Sequence, residues 1–504
     1  MDLLLGFKIV LLSPINIGML LLGSLVGALF GLLPGISVLT ALSLLLPLTY
    51  GMDITPAILL MIGTYCSGIY GGSLTSILFK IPGDPQNTAT IFDGYPMTQK
   101  GEASKAIGGG LVASVVGGLF SALSLILFAP AIMKISLSFG PCEYFGIIFL
   151  SLSMVAVLNA ESFLKGGIAV LFGLLIGTVG IAPESGVPRL TFGFHELMGG
   201  IEFLPVLLGI FAISEVLDRL RSGEAASEGT ALGDPSKLRI DFLSLRKWLE
   251  MKWILIRSSL LGILFGTLPG LGATLASFFA YDIEKNLSKQ KDKFGTGIVE
   301  GVVGPETANN ATTGSGMILL ISLGIPGTVA AAVLLETFQL HGIQTGAFFF
   351  VKETALLNTI FAGFIIANLM LILIGFIELK TMVRLMNIPF RLLGPIIITF
   401  CVLGSYSIRN NFLDIVVMFL AGLLGYVMLK YRYPIAVLVL GNVLGPLLED
   451  AVSRSLIITQ GDFGKLFLNS YISAGSIICG LLLWLLPVVL FLVKKRKVNS
   501  APSI

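Results

Sequence analysis

Apolar stretches long enough to cross a bilayer recur from one end of this chain to the other, and no water-soluble fold could bury so many of them. They fall near residues 15–49, 56–81, 106–132, 141–158, 163–183 and 198–217. They resume near 253–281, 314–340, 353–377, 392–408, 412–430, 434–448 and 466–493. A hydrocarbon core about 30 Å thick takes roughly 20 apolar residues per helix, and several stretches are too short or too long for one crossing. The expectation is an all-α polytopic membrane protein with about 12 membrane-embedded segments. Charge agrees: 12% of the 504 residues are charged, about half the share of a soluble domain.

The charges that remain are localised. Lys494-Lys495-Arg496-Lys497 directly follows an apolar run, which reads as a cytoplasmic anchor on anionic lipid rather than a nucleic-acid site. At the other end Asp2 precedes the apolar residues and no basic region leads into them, so the first helix is expected to stay in the mature protein. Cys66, Cys142, Cys401 and Cys479 are far apart in apolar surroundings without a CxxC pair. They read as small buried side chains, not as a zinc site or a disulfide framework.

A polar stretch from Asp218 to Lys252, with mixed charges and small residues, divides the chain into a first membrane repeat (1–217), a linker (218–252) and a second membrane repeat (253–504). The two repeats echo each other in order. Leu33-Pro34-Gly35 matches Leu268-Pro269-Gly270, Ile81-Pro82-Gly83 matches Ile325-Pro326-Gly327, and Gly173-Leu174-Leu175 matches Gly422-Leu423-Leu424. Gly72-Ser73 and Gly314-Ser315 open the runs before the second Pro-Gly pairs. Any one match is cheap in a chain with 60 glycines; their shared order points to duplication.

Basic residues suggest how the copies are oriented. Lys285, Lys289, Lys291 and Lys293 fill a loop whose first-half counterpart, Tyr50-Gly51-Met52-Asp53, has none. Further on the pattern reverses, with Lys100 and Lys105 set against His341-Gly342-Ile343-Gln344. Short basic loops stay cytoplasmic, so the halves are expected to form an inverted-topology repeat with broken helices or re-entrant hairpins at the Pro-Gly motifs, a common transporter plan.

The run from Gly72 to Ile81 is ten residues, only about 15 Å as helix, and the run before Pro326 is similarly short. Pro82-Gly83 and Pro326-Gly327 should stop those helices. Interrupted backbone at membrane depth must be buried in protein or line an aqueous cavity, so the two tips could frame one site near the midplane. After them Asp84-Pro85 and Thr328 can each cap a new helix, and a helix N-terminus suits an anion. Asp84 would repel an anionic substrate, leaving it to hold a cation or face solvent.

The most unusual stretch runs from Glu300 to Thr313 and includes Pro305-Glu306-Thr307-Ala308-Asn309-Asn310. Carboxylates, amides and hydroxyls entering an apolar segment are expensive and usually functional. They are hard oxygen ligands suited to a small cation, such as Na+ near Glu306, Thr307 and Asn309, with no firm metal site indicated, and the amides could also donate to a carboxylate. The alternative is a polar loop at the membrane edge. Elsewhere the signals are weak. His195 and His341 are not spaced as a metal pair, no Walker A sequence or HExxH is present, and Gly461-Asp462-Phe463-Gly464 lacks any kinase context. Arg189 and Arg454 could pair with carboxylates or reach toward headgroups. No enzyme chemistry is indicated, and no cofactor beyond a coupling ion.

These segments resemble the TctA family, the large membrane subunit of tripartite tricarboxylate transporters, over nearly the whole chain. The resemblance is carried by Tyr70-Gly71-Gly72-Ser73, Ile81-Pro82-Gly83, Asp93-Gly94-Tyr95-Pro96, Lys100-Gly101-Glu102-Ala103 and Arg189-Leu190-Thr191-Phe192-Gly193. The second half adds Glu300-Gly301, Pro305 to Asn310, Leu323-Gly324-Ile325-Pro326-Gly327 and His341-Gly342. It implies carboxylate uptake driven by a Na+ or H+ gradient, across a bacterial or archaeal cytoplasmic (inner) membrane. It also implies a periplasmic TctC-like binding protein and a small four-helix TctB-like membrane subunit as partners, and no nucleic acid.

Joined to the residue-level reading, the resemblance gives a substrate-binding set of Gly72, Ser73, Pro82, Gly83, Asn309, Asn310, Pro326, Gly327 and Thr328. The matching ion-coupling set is Asp93, Glu300, Pro305, Glu306 and Thr307. Two departures stand out: Asp84-Pro85-Gln86-Asn87-Thr88 is more polar than the family's small-residue run, and Thr345 stands where a proline often follows His-Gly-x-Gln. The competing expectation is a membrane scaffold or receptor that binds partners without transporting.

Overall fold

The computed structural model describes residues 2–499 apart from 34–35, 159–161, 183–184, 223–237 and 387–389. Pro34-Gly35 and the centre of the polar stretch between the repeats therefore lie outside the described residues. Helices make up nearly everything else; one short antiparallel pairing joins Gly180–Ile181 to Pro188–Arg189. Among the described residues seven helices are long and apolar enough to cross a membrane, and five more apolar helical stretches run 10–17 residues. This is a multi-pass, all-α membrane protein.

Two compact units emerge: Met1–Ser136 with Leu204–Tyr426, and Leu137–Phe203 with Val427–Ile504. Each draws on both halves of the sequence. The first unit opens with α1 (Leu3–Leu11), α2 (Pro14–Leu32), α3 (Val38–Thr49), α4 (Ile54–Phe79), α5 (Thr88–Gln99) and α6 (Ala103–Ser136). The second unit contributes α7 (Pro141–Leu158) and α8 (Phe163–Gly177). Back in the first come α9 (Phe203–Leu207) and α10 (Ser214–Ser222), joined through π-helical turns, then α11 (Leu245–Glu250), α12 (Lys252–Thr267) and α13 (Gly272–Leu287). It continues with α14 (Glu300–Ser315), α15 (Met317–Leu323), α16 (Val329–Leu340), α17 (Ala347–Lys352), α18 (Thr354–Met386), α19 (Phe390–Ser407) and most of α20 (Phe412–Lys430). The second unit closes with α21 (Ile435–Ile458), α22 (Phe463–Leu468) and α23 (Tyr471–Asn499). α10 and α11 reach into the polar stretch from both ends, so less of it is irregular than its composition suggests.

Within the second unit α8 packs on α21, α7 packs on α23, and Arg189 forms a two-pronged ion pair with Glu449 at 2.6 and 3.0 Å. Arg454 pairs with Asp450. Cys66, Cys142 and Cys401 are buried as expected, whereas Cys479 is exposed. An apolar setting in sequence signals lipid as readily as a protein core.

Two similar helix crossings, one from each half of the sequence, occur in the first unit. α2 crosses α4 on a seam of small residues, and α12 crosses α14 on another. A Cβ on Gly27 would collide with the Thr64 carbonyl, and one on Gly31 would fall 2.5 Å from the Gly68 carbonyl. In the second half Gly262 meets Ala308 and Gly266 meets Thr312 with the same spacing of four. Between membrane helices, where lipid is as apolar as leucine, such close approach supplies the contact energy. The long helices are exchanged: α6 of the first half lies on α14, and α18 of the second lies on α4.

Candidate functional site

The Pro-Gly tips are the first elements the structure revises. Gly72 to Ile81 is not a short segment of its own but the end of α4, whose 26 residues suffice to cross a bilayer. Its counterpart ends a nearly continuous run through α14 and α15, broken only at Gly316. Both helices then close in the same way. Lys80 and Gly324 take left-handed conformations (φ 60° and 77°), and Ile81 and Ile325 each donate to a carbonyl six residues back.

Each tip folds onto its own half. Gly83 packs against Gly31 and Gly72, and Gly327 packs against Gly266 and Gly316, so the interrupted backbone is sheltered by protein as a membrane requires. Asp84 begins the turn Pro85–Asn87, and its carboxylate accepts from the Val38 amide at 3.2 Å. It is buried and neither faces solvent nor opens toward the second tip. Thr328 caps α16 by accepting from the Ala331 amide at 3.1 Å. Gly83 reaches α4 at Gly72, and α16, which follows the second tip, also packs on α4.

Between these contacts lies α14, and here the structure decides between the two readings of its sequence. Residues 301–315 form helix and all are buried, so the polar run is not a loop at a membrane edge. α4, α5, α6, α12 and α13 surround it. A helix this polar can be buried only if its neighbours satisfy it. Glu306, fully buried, accepts from Ser73 Oγ (2.6 Å), Thr90 Oγ1 (2.5 Å) and Ser114 Oγ (3.2 Å), drawn from α4, α5 and α6. Asn87 donates to Ser73 Oγ and to the Ile69 carbonyl, and Asn310 donates to Ser114 Oγ at 2.8 Å and to the Glu306 carbonyl. The Thr313 hydroxyl donates to the Asn310 carbonyl of its own helix at 2.8 Å.

On α14 two side chains are left without full pairing among the described residues. Both amide atoms of buried Asn309 lack a hydrogen-bond partner, as does Oδ1 of Asn310. An unpaired buried amide is costly, and a ligand that offers a donor and an acceptor, or a cation, would answer it.

Other expected site residues go elsewhere. Asp93 is buried, but its oxygens accept from the backbone amides of Gly295, Gly297 and Ile298 and from the Tyr281 hydroxyl. It clamps the loop leading into α14, and Gly301 must lack a side chain to admit it. Glu300 pairs with Lys247 at 2.6 Å and is partly exposed. The Thr307 hydroxyl donates to Val303 within its own helix, and Pro305 sits inside α14 without ending it. His341 bonds the Thr337 and Met52 carbonyls. Thr90 and Ser114, which hold Glu306, were not singled out from sequence. A hydroxyl in an apolar run is too common a signal.

A family model described as the tripartite tricarboxylate transporter TctA family matches residues 17–440. An uncharacterized 52.8 kDa protein in the TAR-I ttuC' 3' region of Agrobacterium vitis is 37% identical over 480 residues, covering 95% of this chain and 94% of the relative. An uncharacterized protein in the TAR-II ttuC' 3' region of the same organism is 40% identical over 235 residues, 47% of this chain and 97% of its own length. No solved structure is significantly similar to the chain. The family match spans the tips, α14 and the exchanged long helices alike, and the chain belongs to the tripartite tricarboxylate transporter TctA family.

Proposed function

We propose that this chain is the permease subunit of its transporter, taking up a tricarboxylate or related carboxylate driven by a Na+ or H+ gradient. The observation that carries this reading is α14, a polar helix buried along its length with an unpaired amide at Asn309, beside α4, on which the first tip and α16 pack. A scaffold has no use for such a helix, whereas a carrier needs polar groups sheltered from lipid and free for a ligand.

The roles divide by charge. Glu306 already holds three hydroxyl donors, and its charge repels a carboxylate, so the substrate belongs on the amide side, toward Asn309, Asn310 and the N-terminus of α16 at Thr328. A Na+ ion, if that is the coupling species, would find oxygens at Glu306 and at the Asn309 and Asn310 amides. The family's tripartite plan supports a periplasmic binding protein that hands over the substrate and a small membrane subunit beside this one, in a bacterial or archaeal inner membrane.

Uptake of labelled carboxylate into proteoliposomes holding all three components tests the reading. Accumulation should appear when a Na+ or pH gradient is imposed and disappear without one. Gradient-independent equilibration would remove the coupling, and binding without entry would favour the scaffold.

A further inference from the structure

Glu378 of α18 is 2% exposed, and neither of its carboxyl oxygens has a hydrogen-bond partner. Facing it on α4 is Tyr70, 1% exposed, whose hydroxyl is also unpartnered. The two helices make room for each other's polar group. A Cβ on Gly71 would sit 3.0 Å from Glu378 Oε1, and a Cβ on Gly375, one turn before Glu378, would sit 3.3 Å from the Tyr70 hydroxyl. Glycine at both positions is what lets a carboxyl and a phenol enter this interface.

Among the described residues the ionisable groups around Glu378 offer it no cation. α2 contributes none, α4 contributes Tyr70 and Cys66, and α14 places Glu306 within range of Tyr70. α6 carries basic groups only near its ends, Lys105 and Lys134, while α1 has Lys8 and α17 has Lys352. Arg239 and Asp241 lie in the segment whose Phe242 stacks on Phe376, and Lys380 on α18 itself is exposed. An ionised carboxylate without donor or counter-ion is strongly disfavoured in such a site, while the neutral acid is tolerated.

Position gives this carboxyl a task. Gly71 also touches Ala28 and Gly31 of α2, and Gly31 is the residue against which the first tip packs at Gly83. Separation of α4 from α2 or α18 would let water or a base reach Glu378, and would also loosen the seat of that tip. We propose that Glu378 is the proton-carrying residue of this transporter, neutral while the α2–α4–α18 contact is closed and ionised when it opens. The assignment rests on the transport reading above and names its coupling ion as the proton. Closing the contact takes a proton from the water on one side, and opening it returns that proton on the other.

Glu378→Gln, which mimics the neutral acid in shape, tests this in the reconstituted three-component complex. The variant should still exchange labelled for unlabelled carboxylate across the bilayer within about twofold of wild type, while pH-gradient-driven accumulation falls at least about tenfold. Glu378→Asp should restore accumulation with a shifted pH profile. Infrared difference spectra at neutral pH should show a protonated-carboxyl stretch in wild type that Glu378→Gln lacks, a readout that needs no transport. Accumulation by Glu378→Gln at the wild-type level, a wild type driven by Na+ alone, or an unchanged carboxyl band would each overturn the proposal. A wild type that keeps the band yet moves no carboxylate would instead overturn the transport reading and uphold the buried neutral acid.

Discussion

The Ser73 hydroxyl donates to the Glu306 carboxylate at 2.6 Å, joining α4 of the first half to α14 of the second. Thr90 and Ser114 complete the grip, so one carboxylate gathers three helices of the first half around the polar helix of the second. Hydrogen bonds to a charged acceptor are the stronger kind, and in a low-dielectric interior a network of this sort rigidifies what it joins.

Glu306→Gln keeps the volume but replaces one acceptor oxygen with a donor facing hydroxyls. Carboxylate uptake should fall by about tenfold or more while membrane insertion and yield stay near wild type. Ser73→Ala removes one donor of three and should cost less. Unchanged uptake in both would take this carboxylate out of the working site.

Asn309 and Asn310 are neighbours with different expectations. Asn310 is bonded to Ser114 and to its own helix, so Asn310→Ala should lower thermal stability by about 1 kcal/mol. Asn309 has no partner to lose, so Asn309→Ala should leave the melting temperature near wild type and still cut uptake severalfold. Parallel melting and uptake curves for the pair decide the matter.

The first tip is packed more tightly than the second. A Cβ on Gly83 would meet the Gly31 carbonyl at 2.5 Å and press into Gly72, whereas one on Gly327 would lie 3.3 Å from the Gly266 carbonyl. Gly83→Ala should abolish uptake or leave little folded protein, and Gly327→Ala should retain most activity. Equal tolerance at both sites would mean that the first tip yields readily.

Asp93 is expected to act on folding. Asp93→Asn would turn an amide donor toward the backbone amides of Gly295, Gly297 and Ile298, at a cost of about 2–3 kcal/mol. Uptake should then fall in proportion to the folded protein recovered. Uptake lost from a fully stable variant would return Asp93 to the ion-coupling residues.

Lys80 adopts the left-handed conformation that Gly324 supplies in the other half. Lys80→Gly should stabilise the protein by up to about 1 kcal/mol by relieving that backbone, read as a higher melting temperature in detergent. A lower value would show that the contact of Lys80 with the Tyr95 ring outweighs the relief.

The sequence by itself determined the membrane class, the all-helical architecture and the matched Pro-Gly motifs, because each rests on local physics: apolar length, missing donors and positive φ. It also marked Glu306 and Asn309, since polar groups in an apolar run stand out wherever the run goes. Tertiary structure decided what those groups meet. Glu306 found hydroxyls from three helices, Asp93 found backbone amides, Asp84 turned to Val38, and Asn309 met nothing. It also showed the short runs before the tips to be ends of long helices, and placed Glu378 opposite Tyr70. Partners more than 200 positions apart, such as Ser73 and Glu306, leave no periodic trace in a single chain. They depend on how helices cross, and the crossing is set by where glycine lets two backbones touch.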